Sequence, residues 1–425
     1  MKPTDLAQSE YFHKVVDCQW ACPAHTPVPE YIRLIAQGRY DDAYLINWKS
    51  NVFPGILGRT CDRPCEPACR RSRVEDGSPE HRKAHAKSEP VAICRLKRAA
   101  ADFKGDVRDR MPPRAERRNG KRVALVGAGP ASLTVARDLA PLGYDCVVFD
   151  RDRLAGGMMR TQIPKFRLPD MVIDEEVGYV LDLGVEFRGG VEIGSLRDLL
   201  GQGFDAVFVG SGAPRGRDLD IPGRREAAKN IHIGIDWLSS VSFGHVDRIG
   251  KRVVVLGGGN TAMDCCRSAR RLGGEQVHVV VRSGFDEMKA SPWEKEDAMH
   301  EGIPIHNYLV PKAFVHEGGR LVGITFDKVA ARMDANGRRE LVPTGEPEVG
   351  FDCDDVLVAV GQENAFPWIE RDLGLEFDRG GMPVVDRVTM ASTRPGVFFG
   401  GDAAFGPKNI IWAVAHGHDA AISID

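Results

Sequence analysis

At 425 residues the chain is too long for one ordinary hydrophobic core, so two or three domains are expected. Its composition, 43% hydrophobic and 28% charged, is that of a globular protein, and 47 glycines suit a fold rich in tight strand-to-helix turns rather than a helical bundle. A formal net charge of only -3 argues against nucleic acid as a partner, and no window approaches 18 uninterrupted apolar residues, which argues against a membrane span.

The first residues lack the apolar segment of a secretion signal, so the expected compartment is the cytoplasm. Thiols stay reduced there, and clustered cysteines point to a metal site before a disulfide framework. Six of the ten cysteines fall in the first hundred residues: Cys18, Cys22, Cys61, Cys65, Cys69 and Cys94. The spacings Cys18-x3-Cys22-Pro23 and Cys61-x3-Cys65-x3-Cys69 flank two short amphipathic helices expected at 30–37 and 41–48. This small helical domain offers few apolar residues, so a metal cluster holding two cysteine loops together makes physical sense. Zinc knuckles favour Cys-x2-Cys. Looser spacing, a Cys-Pro step and all-thiolate ligation suit an iron–sulfur cluster better, with zinc as the alternative.

A Pro/Arg-rich linker follows at 108–122, then a buried strand at 123–126 that runs into Gly127-Ala128-Gly129-Pro130-Ala131-Ser132 and a helix at 133–142. Such a turn lets backbone N–H groups and a helix N-terminus approach a pyrophosphate, which a Cβ would block. The next strand, 144–150, ends in Asp150, 21 residues beyond Gly129, where an acid accepts the ribose hydroxyls of an adenine dinucleotide. The pattern recurs 130 residues on: strand 252–256, Gly257-Gly258-Gly259-Asn260-Thr261-Ala262, a helix to 272 and a strand at 276–281. Two such fingerprints imply two dinucleotide sites.

Strand-like segments near 321–330 and 356–361 precede a final strand at 397–399, a Gly400-Gly401-Asp402 turn and a last helix. The second nucleotide unit therefore reads as inserted into the first. The expected domains are 1–110, helical and cysteine-bearing; 120–229 and 364–425, the two parts of the first nucleotide unit; and 230–363, the insertion. Cys146, Cys265, Cys266 and Cys353 fall in apolar patterns and read as small buried hydrophobes. The vicinal pair Cys265-Cys266 lacks the Cys-x-x-Cys spacing of redox helices.

These residues resemble the small (beta) subunit of glutamate synthase together with the N-terminal part of dihydropyrimidine dehydrogenase, over nearly the whole chain. Gly156-Gly157-Met158-Met159, Ile163-Pro164-x-x-Arg167-Leu168-Pro169 and the tail Gly401-Asp402 with Ala413-x-x-x-Gly417 carry the likeness. It implies an α/β fold of two Rossmann-like, glutathione-reductase-type nucleotide-binding domains preceded by a small α-helical iron–sulfur domain. It also implies FAD on Gly127, Gly129, Pro130, Ser132, Asp150, Gly157, Arg167, Gly401 and Asp402, and a nicotinamide nucleotide on Gly257, Gly259, Asn260, Thr261 and Arg282. Ser132 stands where the third glycine is usual. His416 and His418, on the last helix, are candidates to tune the flavin, although surface or capping roles are the more ordinary expectation.

The chain departs from the family in two places. Members that use NADPH show an Arg-Arg pair and a further Arg before a Met, whereas this chain has Arg282-Ser283-Gly284-Phe285-Asp286-Glu287-Met288. Two candidate ligands for a 2′-phosphate are missing, which favours NAD(H). The family also has two more cysteines ahead of Cys18, where this chain offers Glu10 and His13. The family's residues matching Cys22, Cys61 and Cys65 share a cluster completed from a later helix. This chain has Lys97 near that position and Cys94 one helical turn earlier. The expected set for one 4Fe-4S cluster is Cys22, Cys61, Cys65 and Cys94, with Cys18 and Cys69 as remnants of a second; two clusters with non-cysteine ligands are the rival reading.

The resemblance implies hydride passage between nicotinamide and FAD, and single electrons exchanged with the catalytic and iron–sulfur subunits of a larger complex. The NAD-leaning site is similar to the flavoprotein subunit of 2-oxoacid oxidoreductases of the phenylglyoxylate dehydrogenase type. The alternatives are an NADPH-dependent glutamate synthase small subunit, a free-standing flavin NADH reductase, and a scaffold with degenerate nucleotide sites.

Overall fold

A computed structural model of the chain describes residues 16–72, 89–334 and 339–425. Glu10 and His13 lie outside them. The described residues fall into two compact units, one within 1–159, 167–212 and 366–425 and the other within 160–166 and 213–365. No helix among the described residues is long and apolar enough to cross a membrane.

The first unit begins with helices α1 (Asp17–Ala21), α2 (Val28–Ala36), α3 (Tyr40–Asn51), α4 (Pro54–Thr60) and α5 (Ile93–Phe103). Counting apolar residues underestimates this region. Tyr31, Tyr44, Trp48, Phe53, Ile56 and Leu57 are all buried, and large aromatic rings supply the area that sparse aliphatics do not. Gly58 lets α4 and α5 touch backbone to backbone, since a Cβ there would lie 2.6 Å from the amide nitrogen of Arg98.

A five-stranded parallel sheet follows: β1 (Arg122–Val126), β2 (Asp145–Asp150), β3 (Glu186–Gly189), β4 (Ala206–Val209) and β16 (Val397–Phe399), in the order β16-β4-β1-β2-β3. Val126 pairs with Phe149 and Val209, so β1 lies at the centre. Its near-continuous apolar run reflects burial on both faces, as parallel strands require. One face is covered by a core including Phe149, Leu196, Val207, Phe366 and Phe399. Helices α6 (Pro130–Leu139) and α12 (Ile410–Ile424) pack on each other, and α7 (Asp170–Leu181) packs on both α6 and α4.

The second unit has its own parallel sheet, in the order β6-β14-β7-β8-β9. Its strands are β6 (Ile231–Ile233), β7 (Arg252–Leu256), β8 (Gln276–Val281), β9 (Ile305–Asn307) and β14 (Asp355–Val358). Helices α8 (Gly234–Ser242), α9 (Asn260–Arg271) and α10 (Pro292–His300) lie in the same unit, and an antiparallel sheet joins β10 (Leu309–Glu317), β11 (Arg320–Met333), β12 (Arg339–Pro343) and β13 (Val349–Asp352). Separate cores line the two faces of the parallel sheet. One includes Val253, Met263 and Cys266, and the other Val254, Phe314 and Phe326.

Candidate functional site

In the first unit the chain leaves β1 through Gly127 at φ +92°, where a Cβ would lie 2.7 Å from the Gly210 carbonyl oxygen. Gly157, at φ +52°, passes close enough that its Cβ would meet the Gly129 Cα at 2.8 Å. Gly129 faces open space, with the nearest atom at 4.0 Å. Pro130 opens α6 at a position whose N–H would have no helical partner. Asp150 accepts the N–H of Ala128 at 2.6 Å and of Asp152 at 2.8 Å. Burial raises its pKa against those two bonds.

Ser132 is fully buried, and its hydroxyl has no hydrogen-bond partner among the described residues. The hydroxymethyl group is accommodated by Gly210, where a Cβ would lie 2.3 Å from the Ser132 Oγ. Gly401, at φ +60°, fits between Ala131 and Ala413, each Cβ 3.3 Å from where its own would be. The Gly401-Asp402 turn is thereby held against the start of α6. Asp402 accepts the Lys408 N–H at 2.9 Å, and burial pushes its pKa up to about 6.

The structure thus brings Gly127, Gly129, Pro130, Ser132, Asp150, Gly157, Gly401 and Asp402 into one neighbourhood. Arg167 stands half-buried in the bend before α7. An open glycine, an unpartnered hydroxyl, a helix N-terminus and a strand-end carboxylate fit an adenine dinucleotide.

Neither histidine of α12 is a surface residue. His416 Nδ1 accepts the Gly401 N–H at 3.2 Å, and burial lowers its pKa to about 4, so the ring is neutral and caps the turn. His418 bonds Asp138 through Nδ1 and the Ser50 carbonyl through Nε2 at 2.9 Å.

The second turn repeats the geometry in the second unit. Gly257 sits at φ +136° with the Ala359 carbonyl 2.2 Å from a Cβ position, Gly258 packs on Val281 and Met288, and Gly259 has nothing within 4 Å. The segment after β8 folds onto it: Ala290 N–H bonds the Gly258 carbonyl at 2.9 Å, and Ser291 N–H bonds the Asn260 side chain at 2.8 Å. Thr261 is half-buried in the first turn of α9, and Arg282 is exposed at the end of β8. Phe285 lies beneath the Lys295 ammonium, 4.2 Å from its ring centre. Glu287 accepts the Gly284 N–H at 2.7 Å and pairs with Arg339. Cys265 and Cys266 are fully buried, and the described cysteines are all free thiols.

The N-terminal cysteines converge from three elements. Cys22 caps α1, Cys61 caps α4, Cys65 lies in the following turn, and Cys94 is in the first turn of α5. All four are buried. Thr26 Oγ1 is 3.2 Å from the Cys22 sulfur and accepts from Asn51 at 2.7 Å. Arg63, at φ +56°, turns its N–H onto the Cys61 sulfur at 3.4 Å.

Cys94 hydrogen-bonds Cys61 and Cys65 and is pushed up to about 12: the Cys61 bond lowers it, but the Cys65 bond and burial outweigh that. Cys18 lies beside Cys69. Among the described residues, no group of three or more His, Cys, Asp or Glu side chains is placed to hold a single metal ion. Four buried soft donors on separate elements fit an iron–sulfur cluster.

Two Rossmann-type units with a cysteine-bearing helical region define an NAD(P)-linked flavoprotein oxidoreductase. Residues 121–417 match the pyridine nucleotide-disulphide oxidoreductase family, to which the chain belongs, and residues 11–108 match dihydropyrimidine dehydrogenase domain II, 4Fe-4S cluster. FAD, NAD(P) and 4Fe-4S are the cofactors of these domains.

The NADP(+)-dependent formate dehydrogenase subunit beta of Moorella thermoacetica is 35% identical, over 96% of this chain and 59% of its own length. The NADPH-Fe(3+) oxidoreductase subunit beta of Geobacter sulfurreducens is 32% identical, over 98% and 65%. The glutamate synthase [NADPH] small chain of Azospirillum brasilense is 32% identical, over 96% and 85%. The chain thus spans about three-fifths to two-thirds of the first two relatives. In fold it is similar to FprA of Mycobacterium tuberculosis, with a TM-score of 0.59, 20% identity, and 72% of this chain and 83% of that one covered. Thioredoxin reductase of T. acidophilum gives 0.53, 22%, 71% and 96%.

Proposed function

We propose that this protein is the NAD(H)-linked, FAD- and 4Fe-4S-containing electron-transfer subunit of a multisubunit oxidoreductase. One observation carries the reading. The Asn409 side chain, which caps the start of α12 just beyond the Gly401-Asp402 turn, donates at 2.8 Å to Asp62, the neighbour of Cys61. The cysteine pocket and the first nucleotide cradle are therefore built against each other within one unit.

When bound, a flavin and a 4Fe-4S cluster convert two-electron hydride chemistry into single-electron transfer. The protein's own part is to hold them. Gly127, Gly129, Pro130, Ser132, Asp150, Gly157, Arg167, Gly401 and Asp402 would hold FAD; Gly257, Gly259, Asn260, Thr261 and Arg282 the nicotinamide nucleotide; and Cys22, Cys61, Cys65 and Cys94 the cluster.

The relatives named above are named for NADP(H). Ser283 and Phe285, where arginines would meet a 2′-phosphate, support NAD(H) here. None of those relatives carries a 2-oxoacid oxidoreductase in its name, so the proposed partner is a multisubunit oxidoreductase whose catalytic subunit the native complex must identify. The testing experiment is iron, sulfide and flavin analysis of anaerobically purified protein, followed by parallel reduction with NADH and NADPH. About four irons per FAD and faster bleaching by NADH are expected. About eight irons would overturn the single-cluster reading, and preferential bleaching by NADPH the NAD(H) reading.

A further inference from the structure

Lys97 is 2% exposed, among the largest fully enclosed side chains of the molecule. It lies on α5 one turn beyond Cys94, on the same helix face. The groups that its ammonium faces are the sulfurs of Cys94, Cys61, Cys22 and Cys65. Tyr31, wholly buried, closes the same pocket and donates to the Ile93 carbonyl at 2.9 Å. An enclosed ammonium is costly unless negative charge surrounds it. Lysine has three donors and no acceptor, so it offers iron no ligand.

We infer that Lys97 is a positioning residue whose fixed positive charge, held among the four thiolates, raises the reduction potential of the cluster they hold. The inference rests on the four-cysteine reading above. Reduction adds one electron and no new bond, so the reduced cluster is the more negative state. A buried cation therefore favours it over the oxidised one, and net charge is among the factors that set such potentials.

The test uses the full chain purified anaerobically as wild type, Lys97→Gln and Lys97→Arg. Iron and sulfide are measured first, then the midpoint potential by a redox titration followed by electron paramagnetic resonance. Expected are equal iron in all three, a Lys97→Gln midpoint lower by at least about 59 mV, a tenfold fall in the ratio of reduced to oxidised cluster at a given potential, and a Lys97→Arg ratio within about threefold of wild type at that potential. An unchanged midpoint in Lys97→Gln overturns the inference.

If Lys97→Gln loses its iron, Lys97→Arg decides: iron retained with the charge supports the inference, and iron lost in both leaves Lys97 a packing role and overturns it. Wild-type protein without iron and sulfide would instead sink the four-cysteine reading, and this inference with it, before any substitution is made.

Discussion

Glu176 accepts the backbone N–H of Gly55 at 2.6 Å, and so caps from α7 the start of the helix that ends in Cys61. The Ile56 N–H and the Tyr44 hydroxyl, each at 2.9 Å, complete the shell. Burial nevertheless pushes its pKa up to about 7 against those three donors. With the folded value raised above an ordinary glutamate near 4.3, the native state binds the extra proton. This contribution is therefore full at low pH and is lost as pH rises through about 7. Glu176→Ala leaves two helix-start N–H groups buried without an acceptor and is expected to cost about 1–3 kcal/mol. Thermal unfolding at pH 5, 6 and 7 checks this: the variant melts lower and lacks the decline across that range. Unchanged melting would show that α4 needs no cap.

Gly127→Ala and Gly257→Ala should separate the two nucleotide functions. Each puts a Cβ against a backbone carbonyl, at 2.7 Å and 2.2 Å, in a left-handed conformation, with strain of about 1–3 kcal/mol at each. Gly127→Ala is expected to purify with its flavin content severely reduced. Gly257→Ala is expected to retain flavin but lose reduction by NADH while remaining reducible by dithionite. Flavin absorbance and anaerobic reduction traces distinguish them. Loss of flavin in both variants would mean that the turns are general folding elements.

The same physics explains what was legible in the sequence. Strands β1, β2 and β7 carry unbroken apolar runs because both of their faces are buried, and the turns after β1 and β7 read as turns because no Cβ fits at Gly127 or Gly257. Glu176 could not be read, since its partner Gly55 is 121 positions away and nothing local marks either residue. Lys97 showed only its spacing from Cys94; its enclosure depends on α1, α4 and the Cys65 turn folding around it. The helical core was underestimated because few but large rings fill it.

Ser132 and Gly210 illustrate a second hidden dependence and give a prediction of coupling. Gly210 leaves room for Ser132: a Cβ there would approach the Ser132 Oγ to 2.3 Å, and the Phe208 ring to 2.9 Å. Gly210→Ala should therefore lower flavin content and stability more than Ser132→Gly does. The double variant Ser132→Gly, Gly210→Ala should recover part of the loss. A double-mutant cycle on melting temperature and flavin content measures the coupling, expected at about 0.5–3 kcal/mol for touching residues. Strict additivity would refute the compensation.

His418 ties three segments of the first unit together, with Asp138 on one ring nitrogen and the Ser50 carbonyl on the other. Burial alone would lower its pKa, but the Asp138 hydrogen bond and charge and the Ser50 bond together raise it. Burial likewise works to raise Asp138, and the histidine together with Arg137 outweighs it and holds the carboxylate low. The raised histidine stabilises the fold fully below its unfolded pKa near 6.5 and loses that contribution as pH rises through the higher folded value. The depressed aspartate loses its contribution only as pH falls through its own low value. The pair therefore stabilises most in mildly acidic solution and weakens above neutrality, a window higher than that of Glu176. His418→Gln should flatten the decline in melting temperature above neutrality while leaving the Glu176-dependent decline between pH 5 and 7 in place. A decline above pH 7 that persists undiminished in His418→Gln would assign it to other groups.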